Sequence, residues 1–186
     1  MTDPGTIRAT LDKHGSSVLV VHAHADLDAV GSAVGLAETL DGAASVVAPD
    51  GVKTRARRLA EELPVDLRRP DDVSLAAADC VVVLDAPSSD RIAPVDVGEV
   101  RGDLVLLDHH ERGDLVDAAT TAWVDTSAGA TAALAARVAA VGGESIDETA
   151  AFALAAGLFD DTGSLAGATG GEFRLFGDLL AAAGER

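Results

Sequence analysis

Cysteine occurs once in the 186 residues, at Cys80. No disulfide can form within the chain, which fits a reducing, cytoplasmic setting. Cys80 opens the apolar run Cys80-Val81-Val82-Val83-Leu84 and reads as a core thiol. Lysine is confined to Lys13 and Lys53, and the formal net charge is −17. No basic patch is visible, so a generic nucleic-acid-binding surface is not expected. No apolar run approaches the roughly 20 residues that span a bilayer. The opening segment lacks the basic-then-apolar order of a secretory signal, so neither a membrane span nor an export signal is expected.

What remains is small and apolar or acidic. Hydrophobic residues make up 48% of the chain, mostly Ala, Val and Leu with few aromatics. That suffices for one well-buried domain; the length is marginal for two. Asp far outnumbers Glu on a lysine-poor surface, a balance that resembles proteins adapted to high cytoplasmic salt. There a Debye length of about 3 Å at 1 M screens self-repulsion. An ordinary acidic protein is the alternative.

Short apolar runs alternate with Ala-rich helical stretches. Strands are expected at 17–21, 44–48, 78–84 and 104–107, with short ones at 65–67 and 122–124. Helices are expected at about 30–40, 54–63 (ended by Pro64), 127–141, 147–158 and 171–183, with Gly142-Gly143 breaking two of them. Runs such as 18–21 and 81–84 are apolar on both faces, as buried parallel strands are. The alternation predicts an α/β fold: a mainly parallel sheet of about five strands with helices on both faces. Active sites of such sheets lie beyond the carboxyl ends of the strands.

The chemistry-bearing residues fall there. After the first strand comes His22-Ala23-His24-Ala25-Asp26-Leu27-Asp28. In an extended backbone alternate residues share a face, so these two His and two Asp are expected to project together. Asp28 also suits the cap of the following helix. Asp85 follows the third main strand, where a lone Asp is usually a turn or cap residue. Asp108-His109-His110 follows the fourth. Asp160-Asp161 ends a helix, where carboxylates oppose the helix dipole and call for a cation or a local cap. Carboxylate and imidazole without thiolate suit manganese, magnesium or cobalt better than structural zinc. Two divalent ions about 3.5–4 Å apart would offset the charge of so many converging carboxylates and polarise a phosphoryl group.

The segment His22-x-x-x-Asp26-x-Asp28-x-x-Gly31-Ser32, then Asp85, then Asp108-His109-His110, then Asp161-Thr162-Gly163, resembles the four ordered motifs of the DHH phosphoesterase superfamily. This group includes RecJ-like exonucleases, nanoRNase/pAp phosphatases, exopolyphosphatases and family II pyrophosphatases. The resemblance implies a first metal held by His22 and Asp26, a second by Asp28, His109 and Asp161, and Asp85 bridging both, with Mn²⁺ foremost and Mg²⁺ or Co²⁺ as alternatives. It implies that His110 faces the substrate phosphate, that Asp108 orients a histidine, and that a water activated by both metals attacks phosphorus. The expected activity is hydrolysis of phosphodiester or phosphoanhydride bonds in nucleotides, short oligonucleotides or polyphosphate. A non-catalytic scaffold and a family II-type pyrophosphatase are the alternatives.

Other positions stay open. His24 is either a spectator or a phosphate contact. Asp160 exchanges with Asp161 if the register slips by one. Gly31 and Ser32 bind an anion at a helix start or serve close packing. Ser127 is a helix N-cap or a ligand contact. Arg112 is a phosphate contact or a solvated side chain. The chain is expected to be a single catalytic domain over 1–186 without the C-terminal substrate domain of its relatives, and a homodimer is left open.

Overall fold

The computed structural model describes residues 2–63, 65–141, 143 and 145–184. Pro64 and Gly142, expected above to end helices, lie outside the described residues, as does Arg186. The elements run α1 Pro4–Leu11, β1 Ser16–Val20, α2 Leu27–Ala37, β2 Ala43–Val47, α3 Thr54–Glu62, β3 Leu67–Arg68, β4 Cys80–Leu84, β5 Asp103–Asp108, α4 Leu115–Ala118, β6 Thr121–Val124, α5 Thr131–Ala139, α6 Glu148–Asp161 and α7 Gly170–Ala183.

The strands form one sheet in the order β3-β2-β1-β4-β5-β6, and every pairing is parallel. Among the described residues six strands replace the expected five or so, because both short segments pair at the sheet edges. The α/β class stands. Alternate strand residues divide between two cores, as the period of two requires. Leu19, Val82 and Leu107 join the core built with α1, α2, α3, α5, α6 and α7. Val18, Val81 and Leu106 face a smaller core closed by Leu75, Ile92 and by Leu115 of α4. Helices therefore flank both faces, but unequally. Cys80 is fully buried, and burial pushes its thiol up to about 12, as befits an inert core thiol.

Four helix starts depart from expectation, two of them simply: α2 begins at Leu27 rather than near residue 30, and the short α4 at Leu115 was not expected. The helix α1 was not foreseen, although Asp3 caps it through Thr6 N–H and Pro4 occupies its first turn, both standard start signals. The helix α5 begins at Thr131, not Ser127. The Ser127 hydroxyl instead donates to Asp125 at 2.6 Å, and Ala130 at the cap position has no capping side chain.

The topology fixes where a site belongs. From β1 the chain steps outward through β2 and β3, then returns to the other side of β1 with β4. The carboxyl ends of β1 and β4 thus flank the switch point of the sheet, where loops diverge and leave a crevice.

Candidate metal centre

Every side chain of the centre is delivered by an element ending at or crossing this crevice. His22 follows β1. Asp26 caps α2, accepting from Ala29 N–H at 3.3 Å. Asp28 lies in the first turn of α2 and is 1% exposed. Asp85 follows β4 with φ +58°, a left-handed conformation that costs a non-glycine residue of order 1 kcal/mol or more and that clusters at functional sites. Asp108 ends β5, with His109 and His110 next. Asp161 is the last residue of α6.

These residues converge. His22 Nε2 lies 3.5 Å from Asp26 Oδ1 and 3.6 Å from Asp85 Oδ2. His109 Nε2 lies 3.1 Å from Asp161 Oδ2, 3.6 Å from Asp85 Oδ1 and 4.0 Å from Asp28 Oδ2. Asp85 therefore sits between the two sets through its two oxygens. Three overlapping groups, His22–Asp26–Asp85, Asp28–His109–Asp161 and Asp85–His109–His110, each place their donor atoms within 4.8 Å of one another.

The backbone aims the rings. His22 Nδ1 meets the Ala23 carbonyl at 2.7 Å and His109 Nδ1 meets the Ala128 carbonyl at 3.2 Å. A carbonyl only accepts, so both Nδ1 atoms carry the proton and both Nε2 atoms turn toward the carboxylates. The His109 Nε2 is buried and has no hydrogen-bond partner among the described residues. Asp108, fully buried, accepts from both the backbone N–H and Nδ1 of His110, the latter at 2.8 Å. That leaves the Nε2 of the half-exposed His110 free to face outward.

Asp28 has a second task. Its two oxygens accept from Thr131 N–H at 2.7 Å and Ala132 N–H at 2.9 Å, which caps α5 from more than a hundred residues away. This is why α5 needs no local cap, and it explains the failure of the Ser127 expectation. The Thr131 hydroxyl donates to Asp85 Oδ1 at 2.9 Å.

A profile of the DHH family, N-terminal domain, matches residues 17–158. The chain belongs to the DHH family. Solved structures agree on the fold. An exopolyphosphatase-related protein from Bacteroides fragilis superposes with a TM-score of 0.86 at 22% identity over 98% of this chain and 57% of that one. A putative family II inorganic pyrophosphatase from Methanococcus jannaschii gives 0.70 at 18% identity over 91% and 57%. The exonuclease RecJ bound to manganese gives 0.56 at 15% identity over 96% and 46%. The chain thus spans about half the length of these proteins.

Within this DHH domain the charges are unequal. Burial would raise Asp26, but His22 and Lys53 beside it hold its carboxyl well below the usual range. Burial pushes Asp28 up to about 7 against the pull of its backbone donors. Burial, with Asp28 and Asp26 nearby, drives Asp85 well above the carboxylate range. Burial alone would lower His109, but Asp161 and Asp28 raise it to about 9. Carboxylates converging on two imidazoles, with burial working against the charge of Asp28 and Asp85, have the donor chemistry of a divalent-cation site.

The remaining expected positions separate clearly. His24 does not share a face with its neighbours: the segment is not extended there, φ is +55°, and the exposed ring pairs with Asp50 at 3.1 Å. Asp160 turns away to Arg55 while Asp161 joins the cluster. Gly31 serves close packing, since a Cβ there would overlap the Ala153 carbonyl of α6. Ser32 is buried and donates to Ala29. Arg112 is exposed. Four participants were missed: Lys53, the Thr131 hydroxyl and the carbonyls of Ala23 and Ala128. Lys53 binds Asp26 Oδ2 at 3.0 Å. Its only sequence signal is that it is one of two lysines.

Proposed function

We propose that this chain is the catalytic core of a two-metal phosphoesterase hydrolysing phosphodiester or phosphoanhydride bonds of nucleotides, short oligonucleotides or polyphosphate. The observation that carries the reading is the buried His109 Nε2, which faces Asp161 at 3.1 Å, Asp85 at 3.6 Å and Asp28 at 4.0 Å without an aligned hydrogen bond to any of them. His22, Asp26 and Asp85 would hold one divalent cation; Asp28, His109 and Asp161 would hold the other, with Asp85 common to both. Bound there, Mn²⁺, Mg²⁺ or Co²⁺ supplies Lewis acidity toward a phosphoryl oxygen and lowers the pKa of water. The exopolyphosphatase-related and RecJ neighbours carry names consistent with phosphate substrates.

The chain's own groups do the rest. The Ala23 and Ala128 carbonyls fix the tautomers of His22 and His109. Asp108 takes the Nδ1 proton of His110 in a hydrogen bond, so His110 Nε2 is presented to a phosphate or leaving-group oxygen. Thr131 steadies Asp85 by donating its hydroxyl to Oδ1, the oxygen that also faces His109 and His110.

Calorimetric titration with Mn²⁺ tests the centre, and hydrolysis of pyrophosphate, tripolyphosphate and a 5′-phosphorylated dinucleotide tests the activity. Two Mn²⁺ per chain are expected, with turnover stopped by chelator and by Asp85→Ala. A wild-type chain that takes up no Mn²⁺, or an Asp85→Ala variant that turns over as fast as wild type, refutes the reading.

A further inference from the structure

Of the 14 Lys and Arg, six lie between Lys53 and Arg69, against three acids in the same stretch. The expectation that this acidic chain has no basic patch is thereby corrected, and the fold gives the patch a shape. The first turn of α3 straddles the mouth of the centre. Lys53 reaches Asp26 on one side, and Arg55 reaches Asp160, beside Asp161, on the other. One turn along α3, where Arg57 N–H bonds the Lys53 carbonyl at 2.9 Å, Arg57 lines a cavity of about 510 Å³ with Arg68 and Arg69.

This cavity backs onto the first motif. Asp50 and Val52 in its wall belong to the loop that meets His24 and Ala25, through the His24–Asp50 pair and the Ala25–Val52 bridge. Two acids share the lining, Asp50 and Asp71, but Asp50 is engaged by His24. Arg68 is paired with Asp66 at 3.0 Å. Among the described residues, the guanidinium groups of Arg57 and Arg69 have no carboxylate within 4 Å, although the Arg69 backbone N–H donates to Asp72 at 3.1 Å, in a molecule with 31 Asp and Glu to offer. Guanidinium forks left free of carboxylates, and set around a concave space, suit phosphate oxygens better than any other common anion.

We propose that this cavity is a second phosphate subsite, holding a phosphate one or more linkages away from the bond positioned at the metal centre. The proposal rests on the phosphoesterase reading and narrows it to substrates that carry at least two phosphates in a chain. Lys53 and Arg55 then line the path between the two sites. The space exceeds what one phosphate fills, and its apolar wall of Val52, Leu67 and Pro94 leaves room for a nucleoside beside the phosphate.

The test uses metal-free chain, in which the centre is silent, and calorimetric titration with tripolyphosphate, a 5′-phosphorylated dinucleotide and orthophosphate. Wild type binds the first two more tightly than orthophosphate, and binding weakens as salt rises. Arg57→Ala/Arg69→Ala raises the Kd for both chains about tenfold or more. A tighter dinucleotide assigns the apolar wall to a nucleoside; an equal or tighter tripolyphosphate assigns the cavity to phosphate alone, and either supports the subsite. Should the double variant be unstable, the Nε–Hε resonances of Arg57 and Arg69 in wild type report the contact directly, by shifting on titration. No chain binding at millimolar concentration, an unchanged Kd in the double variant, or unmoved arginine resonances overturns the proposal. Mn²⁺ uptake and Asp85-dependent turnover are unaffected by that failure, so the two readings fall separately.

Discussion

Replacing Gly31 by Ala tests how the helices carrying the centre are held. In an isolated helix this change stabilises by about 0.8–1 kcal/mol, because glycine is the poorer helix former. Here the crossing of α2 on α6 opposes it. A Cβ at Gly31 would overlap the Ala153 carbonyl oxygen and stand 3.2 Å from Gly157 N and 3.3 Å from Ala153 C. These are backbone atoms, which no rotamer change can move aside, so the helices must part. Overpacking costs about 1–3 kcal/mol, and rigid backbone places this site at the upper end. The net loss is about 1–2 kcal/mol, a Tm lower by about 2–8 °C for a chain of this size. Gly31 is one turn from Asp28 and Gly157 one turn from Asp161, so the same parting separates two carboxylates of the second set and weakens Mn²⁺ binding. Gly177→Ala is the control. Nothing lies within 4 Å of a Cβ there, so it gains about 0.5–1 kcal/mol and leaves Mn²⁺ binding alone. Thermal melts and Mn²⁺ calorimetry on both variants decide the matter. If Gly31→Ala melts at or above wild type, the close helix crossing is not what positions Asp28 and Asp161.

Thr131→Val removes the buried hydroxyl that donates to Asp85 at 2.9 Å; a stability loss of about 1–2 kcal/mol and weaker Mn²⁺ binding are expected by urea titration and calorimetry. Without metal, stability falls as pH rises from about 4 to 9. Folded Asp28 keeps its proton up to about 7 and Asp85 is raised likewise, whereas the unfolded carboxyls have lost theirs above about 4. His109 adds to the same slope, its contribution being complete below about 6.5 and lost through about 9. Saturating Mn²⁺ flattens the slope, and melts in metal-free buffer that show stability rising over this range would contradict the assignment. Glu172 is 1% exposed and accepts from the backbone N–H groups of Thr169 and Gly129. Glu172→Gln turns a donor toward those donors, and a loss of about 1–2 kcal/mol is expected in chemical denaturation.

The sheet was legible because its strands are apolar on both faces, and buried parallel pairing is what such runs do. The four motifs were legible because they follow strand or helix ends, where topology gathers side chains from distant positions. Much of what escaped depends on partners remote in sequence. The start of α5 could not be read locally, since its cap is the Asp28 carboxylate. Lys53 acquires meaning only when β2 leads α3 back beside the first motif. The expected common face of His22, His24, Asp26 and Asp28 failed because alternation holds only in extended chain. The left-handed His24 throws its ring outward and the turn into α2 carries Asp28 inward. Asp160 and Asp161 are equivalent in sequence; helical rotation of about 100° per residue sends one to Arg55 and the other to His109.

The centre works against the stability of the fold that carries it. Asp28 and Asp85 are almost wholly buried beside one another's charge, and Asp85 is held in a backbone conformation unfavourable to its side chain. Burying like charges is tolerated only where something else takes up the charge. Part of that is built in: two backbone donors on Asp28, a hydroxyl on Asp85 and an ammonium on Asp26. These contacts orient the carboxylates as well as easing their repulsion. They leave His109 Nε2 unanswered, and an imidazole whose nearest polar neighbours are three carboxylates is neutral only when another positive charge stands among them. On the proposed reading, the same physics that makes the site costly to bury makes it receptive to cations, and the closeness of the α2–α6 crossing keeps that cost from being relieved by the helices drifting apart.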